Sequence, residues 1–126
     1  MVESKPNPTG DSNPQHVPHG NWDSFPWEPF PAYAGTKSNI FRSADGRVVA
    51  GAYRESGVAT LTYPCDEFFI VTDGWIKLAI HGGDTFTMNK GDFIYIQKGQ
   101  TIDFEFGPNF ANAAVFINHD EKVTLC

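Results

Sequence analysis

Residues 67–99, "EFFIVTDGWIKLAIHGGDTFTMNKGDFIYIQKG", break short apolar runs with glycine turns at a nearly fixed interval. Gly74, Gly83, Gly91 and Gly99 lie 9, 8 and 8 residues apart, and Gly107 follows after 8 more. Each sits in a turn-forming group: "TDGW", "HGGD", "NKGD", "QKGQ" and "FGPN". Turns this close leave room only for strands of about five residues, the pattern of an all-β sandwich or barrel. The same texture begins near Ser38 and predicts strands over 39–42, 47–54, 58–63, 67–72, 75–81, 84–88, 92–96, 101–106, 111–117 and 121–124. Asp45-Gly46 and Asp73-Gly74 read as hairpin turns, because a type I′ turn needs positive φ at both central positions. No stretch shows helical periodicity.

The sequence upstream of Ser38 has a different character. Seven of the nine prolines fall within the first 31 residues, which excludes a helix or a central strand there. Residues 1–20 are polar and rich in Asn, Ser and Pro, the composition of a disordered tail. Residues 21–37 carry Trp22, Phe25, Trp27, Phe30 and Tyr33. That many rings predict an extended arm laid on the domain, residues 38–126, or on a second subunit.

Composition narrows the function classes. The chain has 126 residues and 40% hydrophobic content, enough for a single core. A net charge of −6 with only 9 scattered Lys and Arg leaves no basic patch for nucleic acid. Without an apolar leader or a run of 18 apolar residues, neither a signal peptide nor a membrane partner is expected, and the cytoplasm is the expected compartment. Cys65 and Cys126 form no Cys-x-x-Cys or His/Cys cluster and read as reduced thiols.

Two spacings carry a resemblance. Glu67 is followed by six residues and Gly74, and Gly91 by "DFIYI", Gln97, Lys98 and Gly99, with the lead-in "YPCDEF" at Tyr63–Phe68. From Gly57 to about Ile117, roughly half of the chain, the sequence resembles the cupin family. It is most similar to the small single-domain cupins of the ureidoglycine aminohydrolase and ethanolamine-utilisation group. Gln97 stands where the second motif has Pro. The resemblance implies a double-stranded β-helix, the RmlC-like jelly roll, here with an extended N-terminal arm. It also implies a homodimer.

Metal-dependent cupins take two His from His-x-His, the motif Glu, and a third His from the second motif. Counting from Glu67 and Gly99 puts those slots at Leu61, Tyr63 and Ile102, none of them His. All four histidines, His16, His19, His81 and His119, lie elsewhere. A single carboxylate does not hold a divalent ion, so no metal and no other cofactor is expected. Cys65, two residues from Tyr63, is a conceivable substitute soft ligand.

Strand alternation predicts what lines the cup. Glu67 facing inward brings Phe69 and Val71 with it, Tyr63 brings Leu61, and Ile102 brings Phe104 and Phe106. Tyr53 and Tyr95 are candidates from neighbouring strands. Desolvation in such a cup raises a carboxylate pKa unless a cation compensates, and Arg54 and Lys77 are the nearest cations in sequence. Glu67 is therefore the candidate acid/base and Tyr63 its polar assistant, with Leu61, Phe69, Ile102, Phe104, Tyr95 and Tyr53 as substrate-binding candidates. Glu67 has a plainer reading too, as a turn acceptor or a partner of Arg54. Asp66, facing the opposite way, reads as a turn residue.

Two functions from different classes follow. One is metal-independent isomerase, lyase or cyclase chemistry on a small metabolite. The other is a non-catalytic small-molecule-binding or accessory dimeric cupin. A third, aminohydrolase-like chemistry with atypical metal ligands, is open to metal analysis. An open pocket with Glu67 and Tyr63 in hydrogen-bond reach favours the first; a cup filled by its own side chains favours the second.

Overall fold

The computed structural model describes residues 2–126. Ten strands carry the chain: β1 Glu28–Phe30, β2 Gly35–Arg42, β3 Val48–Arg54, β4 Gly57–Thr62, β5 Asp66–Asp73, β6 Trp75–Ile80, β7 Thr85–Asn89, β8 Phe93–Ile96, β9 Thr101–Phe106 and β10 Ala111–Ile117. They form two antiparallel sheets, one in the order β1-β2-β3-β10-β5-β8 and one in the order β4-β9-β6-β7. From β4 onward the chain repeatedly crosses between them. β5, β8 and β10 go to the larger sheet, and β4, β6, β7 and β9 to the smaller.

This crossing explains why one of the two Asp-Gly pairs is no hairpin. At Asp45-Gly46 the chain folds back tightly, with Ser43 N–H donating to Val48 O at 2.9 Å, and β2 pairs with β3. At Asp73-Gly74 it turns a corner instead, because β5 and β6 belong to different sheets. Gly74, at φ 65°, packs so closely on the Pro108–Phe110 backbone that a Cβ would lie 2.7 Å from Pro108 O.

The core between the sheets is built from alternate residues. On β5, Glu67, Phe69 and Val71 are buried while Phe68 and Ile70 face out. On β9, Ile102 and Phe104 are buried, and on β10 Asn112, Ala114 and Phe116 are. Phe104 and Phe106 stack nearly parallel, 5.8 Å between centroids, and Phe106 also touches Phe110 at 5.3 Å.

Two segments differ from the expected strands. Residues 121–124 pair with no strand. Val123 N–H donates to Gly46 O at 2.8 Å, and the Arg42 guanidinium holds the main-chain oxygens of Val123 and Cys126 at 3.1 and 2.9 Å. These are single anchors across the β2–β3 turn rather than a ladder. Conversely, the proline-rich arm contributes β1, an edge strand paired only with β2. Pro29 is tolerated there because an edge strand leaves one row of N–H groups unpaired. One-turn 3-10 segments at Trp22–Ser24 and Pro31–Tyr33 flank it. The arm thus lies on its own domain. Upstream, Asn7 and His19 exchange two backbone hydrogen bonds, of 2.9 and 3.0 Å, closing residues 8–18 into a loop. Among the described residues no helix is long and apolar enough to cross a membrane.

Candidate active site

The inner face of the larger sheet and the facing side of β4, β6 and β9 enclose a cavity of about 30 Å³. On the scale where a buried water takes roughly 10–15 Å³, it has room for about two water-sized groups. Aromatic rings make most of its wall. Phe69 comes from β5, Phe104 and Phe106 from β9, Phe116 from β10, Tyr53 from β3, and Phe30 and Tyr33 from the arm. Leu125, in the C-terminal segment, completes the rim. Arm and tail thus cover the mouth of the cup.

Glu67 is a buried polar group of the cavity wall. It lies in β5 between Phe116 of β10 and Ile96 of β8 and is only 5% exposed. The Tyr63 hydroxyl donates to its Oε1 at 2.6 Å. Tyr63 follows β4, and its backbone is fixed by N–H to Gln100 O (2.9 Å) and by Gly99 N–H to its own carbonyl (2.8 Å). The phenol therefore reaches Glu67 from a clamped main chain. Burial pushes the Glu67 carboxyl up to about 7, and the Tyr63 hydrogen bond pulls the other way without overcoming it. Burial and the neighbouring Glu67 charge hold the Tyr63 phenol well above its ordinary range, so it stays a donor.

A second carboxylate completes the pair. Glu55 follows β3, is half-buried and lines the same cavity. Burial, and then the charge on Glu67, raise it to about 8. Glu55 lies in the short link between β3 and β4, where side-chain direction is not set by strand period, and so was not expected from the sequence. Its place two residues after inward-facing Tyr53, on the same strand parity, is the available signal. Asn112, on β10 opposite Tyr53 and Val71, was also missed; it lines the cup at 3% exposure.

Of the residues singled out from sequence, Glu67, Tyr63, Leu61, Phe69, Phe104 and Tyr53 line the cavity. The Tyr53 hydroxyl donates to Asn39 Oδ1 at 2.5 Å. Ile102 is fully buried beside Leu61 on the β4–β9 ladder but packs in the core and does not line the cavity. Tyr95 is the clear correction. It pairs with Phe68 rather than Glu67, stands on the outer face at 51% exposure, and donates to Asp66 Oδ2 at 2.7 Å. A shift of one residue in β8 register reverses its face. Neither expected cation enters the cup. Arg54 lies over the Trp27 and Trp22 rings at 4.2 and 5.5 Å, and Lys77 lines a groove on the outside of the smaller sheet.

The donor chemistry does not fit the usual cupin metal. Leu61 and Ile102 offer no lone pair, Tyr63 is held as a donor to Glu67, and Cys65 is fully buried with its thiol pushed up to about 12. Among the described residues no three His, Cys, Asp or Glu side chains converge as metal ligands do.

Two sheets exchanging strands around a cup that holds the motif glutamate define a jelly-roll cupin. The chain belongs to the EutQ-like cupin domain family, which matches residues 43–109. Solved structures agree on the fold. The ethanolamine utilization protein Q of Salmonella typhimurium LT2 superposes with a TM-score of 0.70 at 19% identity, over 94% of this chain and 100% of that one. The EutQ protein of Clostridium difficile gives 0.60 at 23% identity over 71% and 72%. KdgF from Halomonas sp. gives 0.63 at 12% identity over 79% and 93%. No curated protein sequence matches the chain.

Proposed function

We propose that the chain is a small-molecule cupin that moves protons between its two cup carboxyls and a bound metabolite, without a metal. The observation that carries this reading is the 2.6 Å hydrogen bond from Tyr63 to a buried Glu67, whose carboxyl burial pushes up to about 7. A group poised near neutrality is both available as a base and strong enough to return the proton. In the isomerase form, Glu67 takes a proton from one atom of the ligand and the Glu55 carboxyl, raised to about 8, donates one to another. The ligand's atoms are conserved and the two carboxyls exchange protonation states. Tyr63, donating to Glu67, positions the base.

The test is a thermal-shift screen of small metabolites on wild type and Glu67→Gln, followed by incubation of each stabilising ligand in D2O. The reading expects a carbon-bound hydrogen of the ligand to exchange for deuterium with wild type and not with the variant. Exchange that persists in Glu67→Gln, or stabilising ligands that never exchange, would remove it. The cavity volume of about 30 Å³ favours the second reading, a binding or accessory cupin, because it takes only about two water-sized groups while arm and tail stay in place.

We also propose a homodimer. The outer face of β5 and β8 supports it, with Phe68, Ile70, Phe93 and Tyr95 all exposed and the Phe68 and Phe93 rings 6.3 Å apart. An apolar sheet face of this kind is usually covered.

A further inference from the structure

The polar groups of the cup are unbalanced in a way that specifies a ligand. Glu67 receives one hydrogen bond, from Tyr63, and its other oxygen has no partner among the described residues. The Glu55 carboxylate has no side-chain partner there either. Asn112 Oδ1 is buried without a hydrogen bond. The only donors in the lining are neutral, the Tyr33 and Tyr63 hydroxyls and the Asn112 amide among them, and only Tyr63 is bonded to a carboxyl. The cup lacks positive charge: no Lys or Arg lines it, and no cation offsets either carboxylate. Lys37 does not line the cup; its Nζ lies 5.2 Å from the centre of the Phe30 ring on the arm. Most of the remaining wall is aromatic, and ring faces attract cations.

We infer that the cup takes the ammonium head of a small primary amine. An ammonium carries three N–H donors and one positive charge, which answers two carboxylates and an orphaned amide oxygen together. An anionic ligand would add negative charge beside two acidic groups that already resist ionising, whereas an ammonium draws both into the charged, hydrogen-bonded form. The cavity of about 30 Å³ admits the nitrogen and about one carbon. Any longer chain must leave past the half-buried lining residues, Tyr33, Glu55, Leu61, Phe106 and Leu125. The inference rests on the cup being a ligand site, as proposed above, but not on proton transfer within it.

The test is a thermal-shift and calorimetric titration of the full chain with methylammonium chloride. Sodium chloride at equal ionic strength, methanol, sodium acetate and magnesium chloride serve as comparisons. Methylammonium alone should stabilise wild type, and Glu55→Gln and Glu67→Gln should each weaken its binding at least about tenfold, as loss of a charge-assisted hydrogen bond does. Lys77→Ala, on the outer sheet face, should leave it unchanged. The wild-type comparison stands even if a cup variant folds poorly. Acetate or methanol stabilising wild type as well as methylammonium would overturn the inference. So would a shift given by magnesium and not by methylammonium, or a methylammonium shift that survives both Glu variants. If methylammonium binds but no cup ligand exchanges hydrogen in D2O, the amine site stands and the acid/base reading falls. If only a neutral or anionic ligand binds and exchanges, the acid/base reading stands and the amine site falls.

Discussion

Asp66 and Glu67 are adjacent carboxylates on β5, and the two faces of the sheet give them opposite chemistry. Asp66 faces outward, accepting from Lys98 N–H at 2.7 Å and from the Tyr95 hydroxyl at 2.7 Å. These hydrogen bonds hold its carboxyl below the ordinary value of 3.8. Glu67 faces the cup, receives one hydrogen bond, and is raised from 4.5 to about 7 by burial. The difference shows that a carboxylate's availability for proton transfer depends on which face it occupies and how many donors reach it, and a step of one residue is enough to change both. The apolar groups divide in the same way. Phe69 and Phe116 enclose the cup, while Phe68 and Phe93 form an exposed outer surface.

The largest expected effect comes from removing the buried charge. A carboxyl raised from 4.5 to about 7 on folding binds its proton in the folded chain before the unfolded one does. Stability therefore falls as pH rises through that window, and Glu55 extends the fall to about pH 8. Glu67→Gln should abolish the Glu67 share, making the variant more stable than wild type at pH 8 by on the order of 3 kcal/mol and equal to it near pH 4. Urea denaturation at the two pH values measures this. A variant weaker than wild type at pH 8 would break the contrast.

Tyr63→Phe comes next. It removes the one donor to Glu67, so the Glu67 pKa should rise further and stability at pH 8 should drop by about 1–3 kcal/mol, with a smaller loss near pH 5. On the outer face the expected effect is on assembly. Phe93→Glu, at a residue 71% exposed, should change monomer stability by no more than about 0.5 kcal/mol. Sedimentation should show the proposed dimer for wild type and a monomer for the variant; a monomeric wild type would remove the dimer. Asp66→Asn should have a small effect confined to stability, about 1 kcal/mol or less at pH 7, because the ion is solvent-screened. Its stabilisation runs opposite to that of Glu67, present above pH 3.8 and lost on acidification.

The periodic glycines and alternating strands made the sheets legible in the sequence, and they placed Glu67, Phe69 and Phe104 on one side. The rest depended on contacts between distant segments. β1 could not be read from "EPF", since an edge strand with proline is defined by its partner β2. Tyr95 took the wrong face because alternation gives parity within β8 but not its register against β5. Glu55 lay outside any strand, and Phe30, Tyr33 and Leu125 reach the rim only because both terminal segments fold back over it.

The most direct test of the central claim is a titration of the carboxyl carbons by NMR on protein labelled at Glu and Asp side chains, with Glu67→Gln, Glu55→Gln and Asp66→Asn to assign them. The account predicts midpoints near 7 for Glu67 and near 8 for Glu55, Glu55 moving down in Glu67→Gln, and Asp66 below 3.8. A Glu67 midpoint near 4.5, the ordinary value for a solvated glutamate, would contradict it.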